Sequence, residues 1–214
     1  MSGLDRFQAE FLHAFFARQD RFFLTGGAAL AGFHLKHRRT LDLDLFTTED
    51  LLEEGQASLF DVATELGATV EGLRTSSSFR RFLLRRGNES LVVDLVRDRA
   101  PQLDEEKTEI SGIPVDSPSE IMANKLGTLL SRAELRDLVD VRALEAAGFS
   151  VEDHLAAAMR KDAGLTPAQL AWVLSQVEIG SDASPPGGVT GDELQRYLSE
   201  LIDRLTAMAF PAGL

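Results

Sequence analysis

The sequence predicts an α+β chain, a small mixed β-sheet with helices followed by an all-helical C-terminal half. Three observations predict it. In the first half, apolar residues recur at helical spacing in some stretches and at a spacing of two in others, so helices alternate with strands. From about residue 69 the strand pattern repeats consecutively, which belongs to a mixed sheet rather than to alternating βα units. Beyond residue 117 every periodic stretch has helical spacing.

Taken in order, Leu4, Phe7, Phe11 and Phe15 stand three and four apart and predict an amphipathic helix. Phe22-Phe23-Leu24 is a short apolar run ending at Thr25-Gly26-Gly27, a buried strand stopping in a tight turn. A helix restarts at Ala28-Ala29-Leu30-Ala31 and breaks near His37-Arg38-Arg39. Leu41-Asp42-Leu43-Asp44-Leu45-Phe46 alternates with period two and is a strand. Residues 48–66 form an acidic helix with Leu51, Leu52, Val62 and Leu66 inward. Strands follow over Thr69–Arg74, Phe79–Arg86 and Leu91–Val96, with Gly87-Asn88 turning the last two, and one more from Thr108 to Ile113. Ser117-Pro118-Ser119-Glu120 has the form of a capping box with proline at the first helical position. Helices are then expected over 117–131, 134–146, 151–161, 167–178 and 191–209, with Ser181–Gly188 as a flexible connection. The domain boundary falls near 115, giving a core over 1–115 and a helical domain over 116–214.

Composition narrows the chemistry. The 214 residues are 44% hydrophobic and 26% charged, enough to bury a core. Cysteine is absent, which removes disulfides, thiol nucleophiles and Cys-ligated zinc. No apolar run approaches a membrane span and MSGLDRFQ has no apolar leader, so a soluble cytoplasmic chain with no membrane partner is expected. With 22 Lys and Arg against 34 Asp and Glu, the net charge of −12 argues against a sequence-blind nucleic-acid coat. The charge is segregated, however. Between Arg74 and Arg99 seven arginines face three acids, whereas Glu49–Glu71 holds seven acids and no base.

Asp42 and Asp44 are the first candidates for chemistry. Two residues apart on a strand, they share a face with backbones about 6.6 Å apart, so both carboxylates can converge on divalent ions. The alternative is a solvated edge of a half-exposed strand. Asp94 interrupts the apolar strand Leu91–Val96, and a carboxylate there requires a cation, an arginine such as Arg81 or Arg85, or a solvent-filled cleft. The Gly26-Gly27 turn lets a phosphate approach bare backbone, or is merely a turn. It is neither a Walker A loop nor a dinucleotide fingerprint. His37-Arg38-Arg39 either approaches a phosphate or solubilises a loop, the four histidines show no metal-ligand spacing, and Trp172 among Leu170, Val173 and Leu174 is expected in the core. Lys125 reads by itself as a lysine snorkelling to water, and Arg132, Arg136 and Asp140 as a surface ion-pair ladder.

Strand, glycine pair, helix, Asp-x-Asp on the next strand and a third Asp on a later one resembles the polymerase-β-like nucleotidyltransferase superfamily. Phe23-Leu24-Thr25-Gly26-Gly27-Ala28-Ala29-Leu30, followed by His37-Arg38-Arg39-Thr40-Leu41-Asp42-Leu43-Asp44-Leu45-Phe46, resembles in particular the AbiEii/AbiGii toxin family. Ile121-Met122-Ala123-Asn124-Lys125-Leu126, Arg132 and Arg136-Asp137-Leu138-Val139-Asp140 resemble that family's later motifs. The resemblance covers residues 22–46 and 117–144, with Asp94 between them. It implies a magnesium-dependent enzyme moving a nucleoside monophosphate from an NTP to an acceptor, commonly tRNA or another RNA, in toxin–antitoxin or phage-defence systems with a cognate antitoxin. On the same basis Gly26 and Gly27 contact the triphosphate, and Asp42, Asp44 and Asp94 hold two Mg2+ ions. Lys125 reaches the nucleotide, while Asp137 and Asp140 line the helical wall of the cleft. Ala28 stands where the family commonly has a hydroxyl and Val139 where it often has an aromatic. Two rival readings stay open, a non-catalytic nucleotide- or partner-binding module on the same fold and a metal-dependent nuclease.

Overall fold

The computed structural model describes residues 3–211. The chain divides into two compact units, Met1–Arg99 with Asp104–Ser117, and Ala100–Leu103 with Pro118–Leu214. The first is a seven-stranded mixed sheet with helices; the second is helical.

The first unit opens with α1 (Arg6–Phe16), capped by Asp5, whose carboxylate accepts from Gln8 N–H while the Gln8 side chain accepts from Asp5 N–H. Its inward face buries Phe7, Phe11 and Phe15, with Phe15 meeting Phe22 edge-on at 5.6 Å. Each such ring contributes on the order of 2–3 kcal/mol of apolar burial. Then come β1 (Phe23–Thr25), α2 (Gly26–Ala29) running into a π turn at Leu30–His34, β2 (Asp42–Thr47) and α3 (Leu52–Glu65). The strands β3 (Thr69–Thr75), β4 (Phe79–Arg86) and β5 (Glu89–Arg97) form an antiparallel meander.

The expected single strand from Thr108 to Ile113 is instead a hairpin, β6 (Thr108–Ile110) and β7 (Ile113–Val115). Ser111 and Gly112 both take positive φ, 55° and 78°, which is what a two-residue turn of this hand requires.

Strand order is β3-β4-β5-β2-β1-β7-β6. β2 runs parallel to β5 and antiparallel to β1. Leu43, Leu45, Leu91, Val93 and Leu95 point to one face and are fully buried or nearly so, together with Phe82 and Leu84 of β4. The period of two therefore sends Asp42, Asp44 and Asp94 to the opposite face.

The second unit comprises α4 (Pro118–Ser131), α5 (Leu135–Ala146), α6 (Val151–Lys161), α7 (Pro167–Leu174) and α8 (Gly191–Ala209). Ser150, Thr166 and Thr190 cap α6, α7 and α8. On α8 the stripe Leu194, Leu198, Leu201 and Leu205 is wholly buried, the helical spacing that the sequence shows. Glu120, expected in a capping box, is buried, accepts from Leu103 N–H at 2.6 Å and pairs with Lys161. Trp172 corrects a sequence expectation: it is 66% exposed. Its neighbours Leu170, Ala171 and Leu174 are the buried positions of α7, so the face that Trp172 occupies is the outer one. Among the described residues no helix is long and apolar enough to cross a membrane.

Candidate functional site

The two acidic strands meet in register. β2 and β5 pair so that Asp44 lies opposite Asp94, Asp42 opposite Val92, and Thr25 of β1 opposite Asp44. β4 extends the same row by placing Arg81 opposite Asp94. One line across four strands thus reads Thr25, Asp44, Asp94, Arg81, and residues directly opposite each other present their side chains on one face. Asp42 and Asp44 are half-buried; Asp94 is 3% exposed.

Asp94 is paired with Arg81, one of the two arginines expected within its reach. Arg81 donates from Nε to Oδ1 at 2.8 Å and from an Nη to Oδ2 at 2.6 Å, a two-pronged charged pair. The guanidinium is held above the ordinary arginine range, first by the hydrogen bonds to Asp94, against a desolvation cost, and further by the charges of Asp94, Asp42 and Asp44. All three carboxylates therefore act on the Arg81 guanidinium. Among the described residues no three His, Cys, Asp or Glu side chains stand close enough together to enclose a metal ion. The donor set itself is all carboxylate oxygen, the chemistry that suits a hard divalent cation such as Mg2+.

Asp42 is positioned from below. Thr40 Oγ1 donates to Asp42 O at 3.1 Å and to Asp42 Oδ1 at 3.3 Å, and Gln8 Nε2 donates to Thr40 O at 3.1 Å. Thr40 and Gln8 are both buried, so α1 fixes the strand that carries the acids. Nothing in the local sequence pattern flags this link, because it joins residues 32 positions apart.

The glycine pair fits against the same row. Gly26 has φ +64° and a Cβ there would fall on Asp44 Oδ2; a Cβ at Gly27 would meet the Arg38 guanidinium. Backbone can thus lie directly beside Asp44 and Arg38 only where there is no side chain. Thr25, just before the pair, makes no capping bond, and its Oγ1 is buried without a hydrogen-bond partner.

The remaining candidates lie in the helical unit. Lys125 Nζ on α4 reaches Asp137 Oδ1 and Asp140 Oδ2 on α5, each at 2.7 Å. Both carboxylates are fully buried and Arg132 Nε adds a contact to Asp137 Oδ2 at 3.1 Å. The snorkelling and surface-ladder readings therefore do not hold for these residues. Burial is the strongest influence on Lys125 and pulls its pKa down, but the charges and hydrogen bonds of Asp140 and Asp137 outweigh it and the net shift is upward. For Asp137 burial again acts first, upward, and the Lys125 charge and the Lys125 and Arg132 hydrogen bonds carry the net shift below the usual carboxylate range.

Glycine turn, paired strand acids and the Lys-Asp-Asp cluster are the features in which the sequence resembles one toxin family. The family model of the nucleotidyl transferase AbiEii toxin, type IV toxin–antitoxin system, matches residues 10–204. The chain belongs to the AbiEii family. As an AbiEii member it is a nucleotidyltransferase of the toxin type. The AbiEii match spans both compact units. Among solved structures, JHP933 from Helicobacter pylori shares the fold with TM-score 0.54 at 19% identity, over 94% of this chain and 91% of its own. An H. pylori protein proposed to be a nucleotidyltransferase gives 0.55 at 18%, over 94% of each chain. MenT4, a nucleotidyltransferase toxin of Mycobacterium tuberculosis, gives 0.51 at 15%, over 93% of this chain and 81% of its own. No curated relative matches the chain.

Proposed function

We propose that this AbiEii-family chain transfers a nucleoside monophosphate from an NTP to an RNA acceptor, with tRNA the leading candidate, in a Mg2+-dependent reaction. The observation that carries the reading is the in-register row of Asp44 and Asp94 with Asp42 on the same strand face, beside a glycine turn whose bare backbone lies against Asp44 and Arg38. Asp42, Asp44 and Asp94 are the residues that would hold two magnesium ions. Magnesium held by these residues would supply activation of the acceptor hydroxyl and neutralisation of the charge on the departing pyrophosphate.

The chain's own residues supply position. Thr40 orients Asp42, and Asp44 lies against the bare backbone of Gly26, which keeps its carboxylate beside the turn. Gly26 and Gly27 take the triphosphate, with Arg38 supplying positive charge next to Gly27. Within the helical unit, Lys125 is held by Asp137 and Asp140, and the nucleotide-binding role of these three is proposed on the family resemblance alone. An ammonium has three donors and two are given to these aspartates. A cytoplasmic setting, where NTP and RNA meet, and a cognate antitoxin protein complete the reading.

The test is incubation of the purified protein with each labelled NTP, Mg2+ and total RNA, resolved on a gel. Label is expected on one RNA class, and Asp42→Asn is expected to lower transfer by at least about a hundredfold with an unchanged circular dichroism spectrum. Full activity in that variant ends the proposal. The Arg81–Asp94 pair favours one second reading, a non-catalytic nucleotide- or partner-binding module. Mg2+-dependent nucleotide binding with no product on any acceptor would support it.

A further inference from the structure

The β3–β4 hairpin sorts its arginines between the two faces of the sheet. Arg80 and Arg86 point to the face that α1 and α3 cover, where Gln56, Glu53 and Glu10 take them. Arg74 and Arg81 stand on the acid face, and a register shift on β3 is what puts Arg74 there. Glu71 pairs with Leu83 and Gly72 with Phe82, but Leu73 is an extra residue and Arg74 pairs with Arg81. Without that bulge Arg74 would fall opposite Arg80 and turn to the helix side. Two like charges are thereby set directly across from each other, an arrangement that is unfavourable by itself. Both lie against one ring on the same face: the Phe79 centroid is 5.8 Å from the Arg74 guanidinium carbon and 5.6 Å from that of Arg81. Asp94 takes Arg81 through both oxygens. Arg74 is exposed, and among the described residues no carboxylate pairs with it.

We infer that Arg74, Phe79 and Arg81 form a platform for a single-stranded segment of the acceptor RNA, with Arg74 holding a phosphate and the ring and planar guanidinium groups stacking a base. The inference rests on the RNA-acceptor reading above and on no bound metal. A phosphate between the two arginines relieves the repulsion that the bulge creates. An acidic protein would use the charge alone, whereas a ring beside two planar cations offers a π surface that a base can cover. A duplex keeps its bases inside and is held by its backbone. The net charge of −12 gives no broad positive field for that, so the strand is single. Position fits the reaction as well. Arg74 is two strands from Asp94 in the same row, about 10 Å between backbones, so RNA seated on the platform ends close to the acids.

The experiment is fluorescence anisotropy of a labelled, unstructured RNA of about ten nucleotides, in EDTA and without NTP. It compares wild type with Arg74→Ala, Phe79→Leu and Arg99→Ala. Arg99 is exposed and, among the described residues, also pairs with no carboxylate, so its variant loses the same charge elsewhere. Arg74→Ala and Phe79→Leu are each expected to weaken RNA binding about fivefold to tenfold, and Arg99→Ala by less than about twofold. Polyphosphate and polyglutamate carry charge without bases; both are expected to bind more weakly than RNA and to be indifferent to Phe79→Leu. Either polymer binding as tightly as RNA overturns the inference. So does an equal loss in Arg74→Ala and Arg99→Ala, which would reduce the effect to net charge. If Phe79→Leu does not fold, Phe79→Tyr keeps the ring and is expected to bind RNA as wild type does; a tenfold loss there overturns the inference. Label transferred to RNA with the same KM for RNA in Arg74→Ala as in wild type overturns the inference and leaves the transfer reading standing. RNA binding that depends on Arg74 and Phe79, with no label on any RNA, supports the platform and overturns the transfer reading instead.

Discussion

At the scale of single residues, the two glycines of the turn differ although the sequence makes them look alike. Gly26 combines positive φ with a position pressed against Asp44, so an alanine there is strained in its backbone and also drives a carboxylate out of line. Gly27 has ordinary φ, and only the mobile end of Arg38 stands where its Cβ would go. Gly26→Ala is expected to cost about 1–2 kcal/mol in a urea melt and to lower nucleotide transfer sharply, whereas Gly27→Ala should stay within about 0.5 kcal/mol of wild type. Matching melts for the two variants would contradict this account. The turn itself was legible, because two glycines after an apolar run admit few other readings. The difference between them was not, since it depends on Asp44 and Arg38 arriving from elsewhere in the chain. Asp94 was half legible: burial demanded a cationic partner, and Arg81 was one of two arginines within reach on the adjoining strand.

Among elements, α4 and α5 are joined by charge as well as by leucines. Lys125 is the single lysine between two fully buried aspartates, so Lys125→Met leaves Asp140 and Asp137 desolvated with less cationic support. A loss of about 3–5 kcal/mol is expected for breaking such a buried group, read as a lower urea midpoint. The pH dependence has a definite sign. Asp137 is depressed in the folded state, so its contribution is present above the unfolded value near pH ~4 and is lost as acid titrates through the folded one. Lys125 is raised, so its contribution is complete below about pH 10 and is lost as pH climbs through the folded value. The gap between wild type and Lys125→Met should therefore stay wide through neutral pH and narrow toward pH ~4, as the stranded aspartates of the variant take up protons. A gap that does not vary with pH would contradict the ion-pair account. Helices such as α8 were legible end to end, because their 3.6 period and caps are local. The order of the strands was not, since register between β2 and β5 is a long-range property that no local alternation encodes. Trp172 was misplaced for a related reason: on the short α7, flanking leucines do not reveal which side is outer.

For the whole molecule, a net charge of −12 sets the terms on which an RNA acceptor could be met. Long-range repulsion opposes approach, and the arginines of β4 are partly spent on Glu71, Asp94, Glu89 and Glu10. Acceptor binding should accordingly show a shallow salt dependence. A slope of log KM against log KCl no steeper than about 2 in magnitude is expected, corresponding to roughly three neutralised phosphates. A steep slope would point to a basic surface that these pairs do not offer. The sheet also imposes an order of events. Asp94 is fifty positions beyond the aspartate it faces, and the strand bearing it joins the acidic strand sideways, as a parallel neighbour. A ribosome that has delivered only the first eighty-odd residues has made a chain with two of its acids and no third. On the proposed three-acid site, activity is therefore expected only once β5 has emerged and paired with β2.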